Sequence, residues 1–271
     1  MPLRAVSIGR EVDVWSPRAG VVHSAFERAV NLLVDGELWT VLGAPRADGP
    51  FGIRLAPGDA RINVQAGDRV QVRAGYVGVG SLTLDCRSAS IWAPTRWAQP
   101  ASGLDVRLAA VEQVARPRAW DGSAAMARDV TVALRGTDAQ LARAVRRTVG
   151  RGPGLTPAGD DVLVGILALL TSGAAGTAGK RATSRLTGAL VRVLPTTSEI
   201  SRHLLLQAAR GLPGRALHDF GKALIEGASR EVLADALDLM LDYGCTSGAD
   251  ACMGLAAACR FTFCNMECLA A

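Results

Sequence analysis

The chain has 271 residues, of which 49% are hydrophobic, 20% charged and only 4% aromatic. That balance supports a core built from Ala, Leu and Val, argues against disorder, and suits one large domain or two small ones. The net charge of +5 comes from arginines scattered along the chain, with no basic run interleaved with aromatics, so no nucleic-acid partner is expected.

At the N-terminus, Arg4, Arg10, Glu11 and Asp13 precede any apolar stretch, which speaks against a secretory signal peptide and for a cytoplasmic protein. Residues 1–95 then read mainly as strands. Gly52–Leu55, Ile62–Gln65 and Arg69–Arg73 alternate apolar with polar, and Gly78, Gly80 and the Pro57-Gly58-Asp59 turn separate short runs. Asp35-Gly36, between the apolar runs Leu32–Val34 and Leu38–Leu42, predicts a β-hairpin. Ser24–Glu27 fits a capping box and predicts a short helix feeding that hairpin, the alternative being an extended segment.

Pro94, Pro100, Ser102 and Gly103 mark a linker. Beyond it, apolar residues three and four apart predict helices over Leu104–Val114, Ser123–Leu134, Asp138–Val149, Asp161–Leu170, Ser184–Leu194, Ser198–Arg210, Arg215–Glu226, Glu231–Leu241 and Ser247–Phe261. Thr196-Thr-Ser-Glu199 is a capping box opening one of them. Val162–Gly179 carries no charge, but its second half is rich in small and hydroxyl residues, so a buried helix followed by a small-residue turn is expected rather than a membrane span. The fold class expected is α+β: a β-rich domain over 1–95, a small barrel or sandwich, followed by a compact all-helical domain over 96–271. The six cysteines contain no Cys-x-x-Cys pair. Cys252 and Cys259 share a helix stripe and read as reduced core residues, while Cys264 and Cys268 near the tail are candidates for reactivity.

The stretch Gly150–Gly159 packs four glycines, two prolines and a threonine ahead of the adjacent Asp160 and Asp161 and a buried-helix pattern. A weaker copy occurs later. Gly154-Leu-Thr-Pro-Ala-Gly-Asp-Asp161 aligns, with one gap, on Gly244-Cys-Thr-Ser-Gly-Ala-Asp250, and each last Asp is followed four positions on by a glycine, Gly165 and Gly254. Two such loops predict two helix starts facing a common point. Helix starts present unpaired N–H groups and a positive dipole end, and glycines allow close approach, which is anion-binding chemistry. The Lys-Ser/Thr ending of a phosphate-binding P-loop is absent.

Two carboxylates beside such a cradle need an explanation, and three are open. A divalent cation such as Mg²⁺ bridges them to phosphate; they cap the helix; or one accepts hydrogen bonds from –NH₂ groups of a ligand. A division of labour is expected, with one aspartate capping the helix that begins near Val162 and Asp161, which aligns with Asp250, facing the ligand. The candidate catalytic residues are therefore Asp160, Asp161 and Asp250. Candidate binding residues are Arg151, Gly152, Gly154, Thr156 and Gly159 in the first loop, Thr246, Ser247 and Gly248 in the second, and His203.

Gly152-Pro-Gly-Leu-Thr-Pro-Ala-Gly-Asp-Asp-Val-Leu-Val-Gly165 resembles the signature of the AllH-like family, whose best-described branch is a subunit of oxamate carbamoyltransferase; Ala158 stands where the family usually has Ser. Val22–Leu32, Asp48–Leu55, Thr196–Gly211 and Thr246–Asp250 resemble its other motifs, with Asp48 in place of the usual Asn. The resemblance implies carbamoyl transfer in the breakdown of purine ureides. Phosphate attacks the ureido carbon of oxalurate, giving oxamate and carbamoyl phosphate, with two further subunit types as partners. A non-catalytic anion- or nucleotide-binding assembly subunit and a Mg²⁺-dependent hydrolase of a small amide are the alternatives.

Overall fold

The computed structural model describes residues 2–27, 29–43, 48–57 and 62–264. The chain divides into two compact units at residue 94. The first is a barrel. Its strands are β1 (Leu3–Gly9), β2 (Arg18–Phe26), β3 (Ala29–Val34), β4 (Glu37–Leu42), β5 (Gly52–Leu55), β6 (Arg69–Arg73), β7 (Tyr76–Val79), β8 (Leu82–Asp85) and β9 (Ser90–Trp92). They run in the order β5-β4-β3-β2-β6-β7-β8-β1, and β1 pairs back onto β5, closing eight strands; β9 extends β1 in parallel. Closure removes the exposed edges an open sheet would present.

The period of two decides which side chains enter the barrel. Val30, Leu32 and Val34 of β3, Trp39 and Val41 of β4, and Ile53 and Leu55 of β5 are almost wholly buried. The β3–β4 hairpin turns on Asp35 (φ 48°) and Gly36 (φ 82°), both left-handed as a type I′ turn requires. The short helix predicted at Ser24–Glu27 is not formed: Ser24, Ala25 and Phe26 extend β2 and pair with Asn31, Val30 and Ala29. The ladder, reinforced by an Asn31 amide that donates to Ser24 Oγ at 3.0 Å and accepts from Thr40 Oγ1 at 3.0 Å, outweighs a local capping signal. Ile62–Gln65 is not a strand either. Its Gln65 N–H bonds the Asp68 carboxylate and its Val64 N–H bonds Ile62 O, so the backbone is spent on turns. Gly58 and Asp59 of the expected turn lie outside the described residues.

In the second unit the helices are α1 (Leu104–Ala115), α2 (Ser123–Ala133), α3 (Asp138–Thr148), α4 (Ala158–Thr171), α5 (Gly176–Val191), α6 (Glu199–Ala209), α7 (Arg215–Glu226), α8 (Arg230–Leu241) and α9 (Ser247–Phe263). Together with the first unit this makes an α+β protein with a barrel followed by a compact helical domain. The core is centred on α4, buried along most of its length and packed most closely on α9. Residues 95–103, read as the linker, have no regular structure but are bonded into this unit through Trp97 N–H to Ser172 O and Ala101 N–H to Ile225 O.

Three helix starts differ from expectation. α4 begins at Ala158, so both aspartates lie inside its first turn. α5 begins at Gly176, eight residues before Ser184, because the expected small-residue turn occupies only Ser172–Ala175. The cap of α6 is Ser198, which accepts from Ser201 N–H, while Thr196 closes a preceding 3₁₀ turn. Among the described residues no helix is long and apolar enough to cross a membrane. Cys86, Cys245, Cys252 and Cys259 are free thiols, and Cys264 Sγ donates to Asp105 Oδ1 at 2.7 Å. Burial pushes Cys86 up to about 12 and raises Cys252 and Cys259 further, so these three are inert core residues. Cys268 lies outside the described residues.

Candidate active site between two helix starts

The loop from Val149 to Pro157 is shaped by Gly150, Gly152 and Gly154, at φ of 71°, 94° and 104°. These left-handed positions are open to glycine at little cost, and they fold the chain back over the start of α4. The second loop, between α8 and α9, repeats the design with Gly244 at φ 70°. In both, the glycine next to the helix start permits a close contact with the preceding helix. A Cβ on Gly159 would lie 2.0 Å from Thr148 O at the end of α3, and one on Gly248 would lie 1.8 Å from Met240 O near the end of α8. The internal echo in the sequence is therefore a repeated helix–loop–helix structure.

The structure brings the two loops together. Thr156 Oγ1 lies 3.0 Å from Ser247 Oγ, and the same Thr156 hydroxyl donates to Asp161 Oδ2 at 3.1 Å. Asp161 is almost wholly buried, and burial pushes its carboxyl well above the ordinary value of 3.8; the Ser247 and Thr156 hydroxyls oppose the rise, and the neighbouring Asp250 and Asp160 add to it. Asp250 is fully buried. Its Oδ1 accepts from Trp120 N–H at 2.9 Å and from Ser123 Oγ at 2.6 Å, while its Oδ2 has no hydrogen-bond partner.

Asp160 has a different task. Its Oδ1 accepts the Gly150 N–H at 2.9 Å, and its Oδ2 accepts the Thr197 hydroxyl. It pins the start of the glycine loop to the segment that leads into α6, and Ser198 Oγ adds a bond to Leu155 O at 2.9 Å. Burial raises the Asp160 carboxyl, against the opposing bonds from Thr197 and Gly150. Neither aspartate caps α4: the cap position is Pro157 and no side chain caps the helix. The expected capping role is thus replaced by a longer-range clamp, because the helix starts two residues before Asp160.

The N–H groups of Gly159, Asp160 and Asp161 are bonded to Arg151 O and Pro157 O. An anion at this end would therefore have to meet the outer loop, where Gly154 and Leu155 are exposed, rather than the first helical turn. Arg151 is exposed at the loop's start, and Gly152 is half-buried. Thr246 occupies the cap position of α9, and its carbonyl accepts the Asp250 N–H at 2.8 Å. His203 bonds Glu199 O one turn back in its own helix at 2.9 Å. Among the described residues no group of three His, Cys, Asp or Glu side chains is placed to hold a metal ion.

Sequence reasoning missed Trp120 and Ser123. Trp120 bonds Asp250 through its backbone N–H, and its indole lies against Gly152, where an added Cβ would come 3.4 Å from the ring. From the turn that precedes α2 it thereby touches both the first loop and the first turn of α9. Its visible signal was a tryptophan in a Trp-Asp-Gly turn of an aromatic-poor chain.

Residues 148–259, the segment that carries both loops, match a family model described as oxamate carbamoyltransferase subunit AllH, and residues 4–91 match one described as the AllH family N-terminal domain. The chain belongs to the AllH family. No curated protein and no solved structure matches it. The AllH match begins at Thr148, the carbonyl on which Gly159 packs, and ends at Cys259 in the buried part of α9, so it spans the whole two-loop arrangement.

Proposed function

We propose that this chain is a carbamoyltransferase subunit whose two helix-start loops form the carbamoyl-transfer site, acting in the cytoplasm with two further subunit types. The single observation behind the reading is the contact of Thr156 with Ser247 beside the buried pair Asp161 and Asp250, within the segment that matches the oxamate carbamoyltransferase subunit. The reaction proposed is oxalurate plus phosphate to oxamate plus carbamoyl phosphate. A phosphate oxygen bonds to the ureido carbon, the C–N bond to oxamate breaks, and the proton given up by hydrogen phosphate ends on the oxamate nitrogen.

Each group at the site suits a part of that sequence. The Thr156 and Ser247 hydroxyls are donors for an oxygen of the carbamoyl or phosphoryl group. Asp161, whose carboxyl is raised by burial, is the acid for the departing nitrogen, since a raised carboxyl holds its proton more readily than an ordinary one. The unpartnered Oδ2 of Asp250 is an acceptor for a carbamoyl –NH₂. Gly152 and Gly154 let the outer loop approach an anion, and positioning rather than a protein nucleophile supplies the rate. No metal step is invoked, and a Mg²⁺ hydrolase would need ligands that the described residues do not group together.

The test is to co-express the chain with the partner subunits encoded beside it and measure carbamoyl phosphate formed from oxalurate and phosphate. The reading expects activity that requires this chain and falls in a Thr156→Ala, Ser247→Ala double variant. Turnover by the partners without this chain would refute it. A second reading, a non-catalytic assembly subunit, is favoured by Leu155, 64% exposed at the tip of the first loop. It expects Leu155→Asp to prevent assembly and the double variant to remain fully active.

A further inference from the structure

The opposite end of α4 borders a cavity of about 460 Å³. Its lining residues Leu170 and Thr171 lie ten residues along α4 from Asp160 and Asp161, so the cavity is about 15 Å from the aspartates. Arg96, Lys180 and Arg210 line it, and no carboxylate does. Among the described residues neither Arg96 nor Lys180 forms an ion pair.

The floor of the cavity is suited to the same sign of ligand. α5 starts here with Gly176 at its first position, and no side chain caps it. Gly173, at φ 96°, is where the Arg96 guanidinium rests: a Cβ there would lie 2.8 Å from Arg96 Nε. The left-handed φ favours glycine at this position, and the arginine packs against it. Thr183 also lines the cavity, and its buried hydroxyl has no hydrogen-bond partner. Three cations, a helix N-terminus and a spare hydroxyl converge on one volume. Arginine and lysine around uncapped helix N–H groups are the usual partners of a phosphate group.

From this geometry we infer a second ligand site, in which Arg96, Lys180, Arg210 and the start of α5 bind the phosphate group of a small phosphorylated molecule. The cavity is of the size that holds a small organic ligand, larger than phosphate alone requires. The inference does not depend on the carbamoyl-transfer reading, because it shares no residue with the two-loop site.

The test is calorimetric titration of the full chain with inorganic phosphate and with glycerol 3-phosphate at constant ionic strength. Both are expected to bind, and Arg96→Ala and Lys180→Ala are each expected to weaken binding at least tenfold without shifting the melting temperature. Lys180→Arg should retain binding, and the Thr156→Ala, Ser247→Ala variant should bind as the unaltered chain does. Tighter binding of glycerol 3-phosphate would assign a phosphorylated metabolite, and equal affinity would assign free phosphate; either supports a phosphate site. Absence of binding by the unaltered chain would overturn the inference. So would binding that survives both cation variants and is lost with the loop hydroxyls.

Discussion

Gly165 and Gly254 face each other's helices reciprocally: a Cβ on Gly165 would lie 2.0 Å from Ala251 O, and a Cβ on Gly254 would lie 2.0 Å from Val162 O. Each glycine stands four residues after the aspartate of its own loop, Asp161 or Asp250, so the close crossing of α4 and α9 fixes the separation of the two carboxyl groups. Replacing either glycine by valine should push the helices apart or leave the chain unfolded, at a cost of about 3 kcal/mol or more. Thermal and urea unfolding check this. A Gly165→Val chain as stable as the unaltered one would mean that the crossing is not close.

Asp160 is expected to act on stability. Asp160→Ala removes the acceptor for both the Gly150 N–H and the Thr197 hydroxyl, in a place water does not reach. The expected loss is about 2–4 kcal/mol by urea denaturation, larger than for Asp160→Asn, which keeps one acceptor oxygen.

The Thr156–Ser247 contact joins residues 91 positions apart. Thr156→Ala and Ser247→Ala should each destabilise modestly. A double-mutant cycle should give a coupling of about 0.5–1.5 kcal/mol. Strict additivity would show that the loops do not touch in solution.

Asp161 should show an inverted pH dependence. Its folded-state carboxyl is raised by burial, so the unfolded chain loses this proton first as pH rises. Its contribution is fully present below the ordinary value of 3.8 and is lost as pH rises toward the folded value. Relative to Asp161→Asn, the unaltered chain should therefore gain stability on acidification from neutral pH toward pH about 4. Melting curves of the two proteins across that range give the comparison. A difference that is flat with pH would place Asp161 ionised in the folded state.

The sequence made the barrel strands legible where alternation was clean, as in Arg69–Arg73, and the hairpin legible because only a left-handed pair fits Asp35-Gly36. Ser24–Phe26 was misread because a capping pattern is local whereas its ladder partner is across the sheet. The α4 and α9 starts were legible as an echo because two helices that cross closely both need glycine at the contact. What the sequence hid was the use of each aspartate. Asp160 reaches Thr197 and Asp250 reaches Trp120 and Ser123, partners 37, 130 and 127 residues distant, which no spacing within a loop encodes. The cationic cavity was equally hidden, because Arg96, Lys180 and Arg210 come from three separate segments.

We propose that the two-loop site carries out carbamoyl transfer, with Asp161 as its acid. The most direct measurement is the rate of carbamoyl phosphate formation from oxalurate and phosphate by the assembled complex carrying Asp161→Asn. The amide keeps the shape but cannot release a proton, so the rate should fall by about 10²–10⁴-fold while the complex still assembles. A correctly assembled Asp161→Asn complex that turns over at the unaltered rate would rule out Asp161 as the acid.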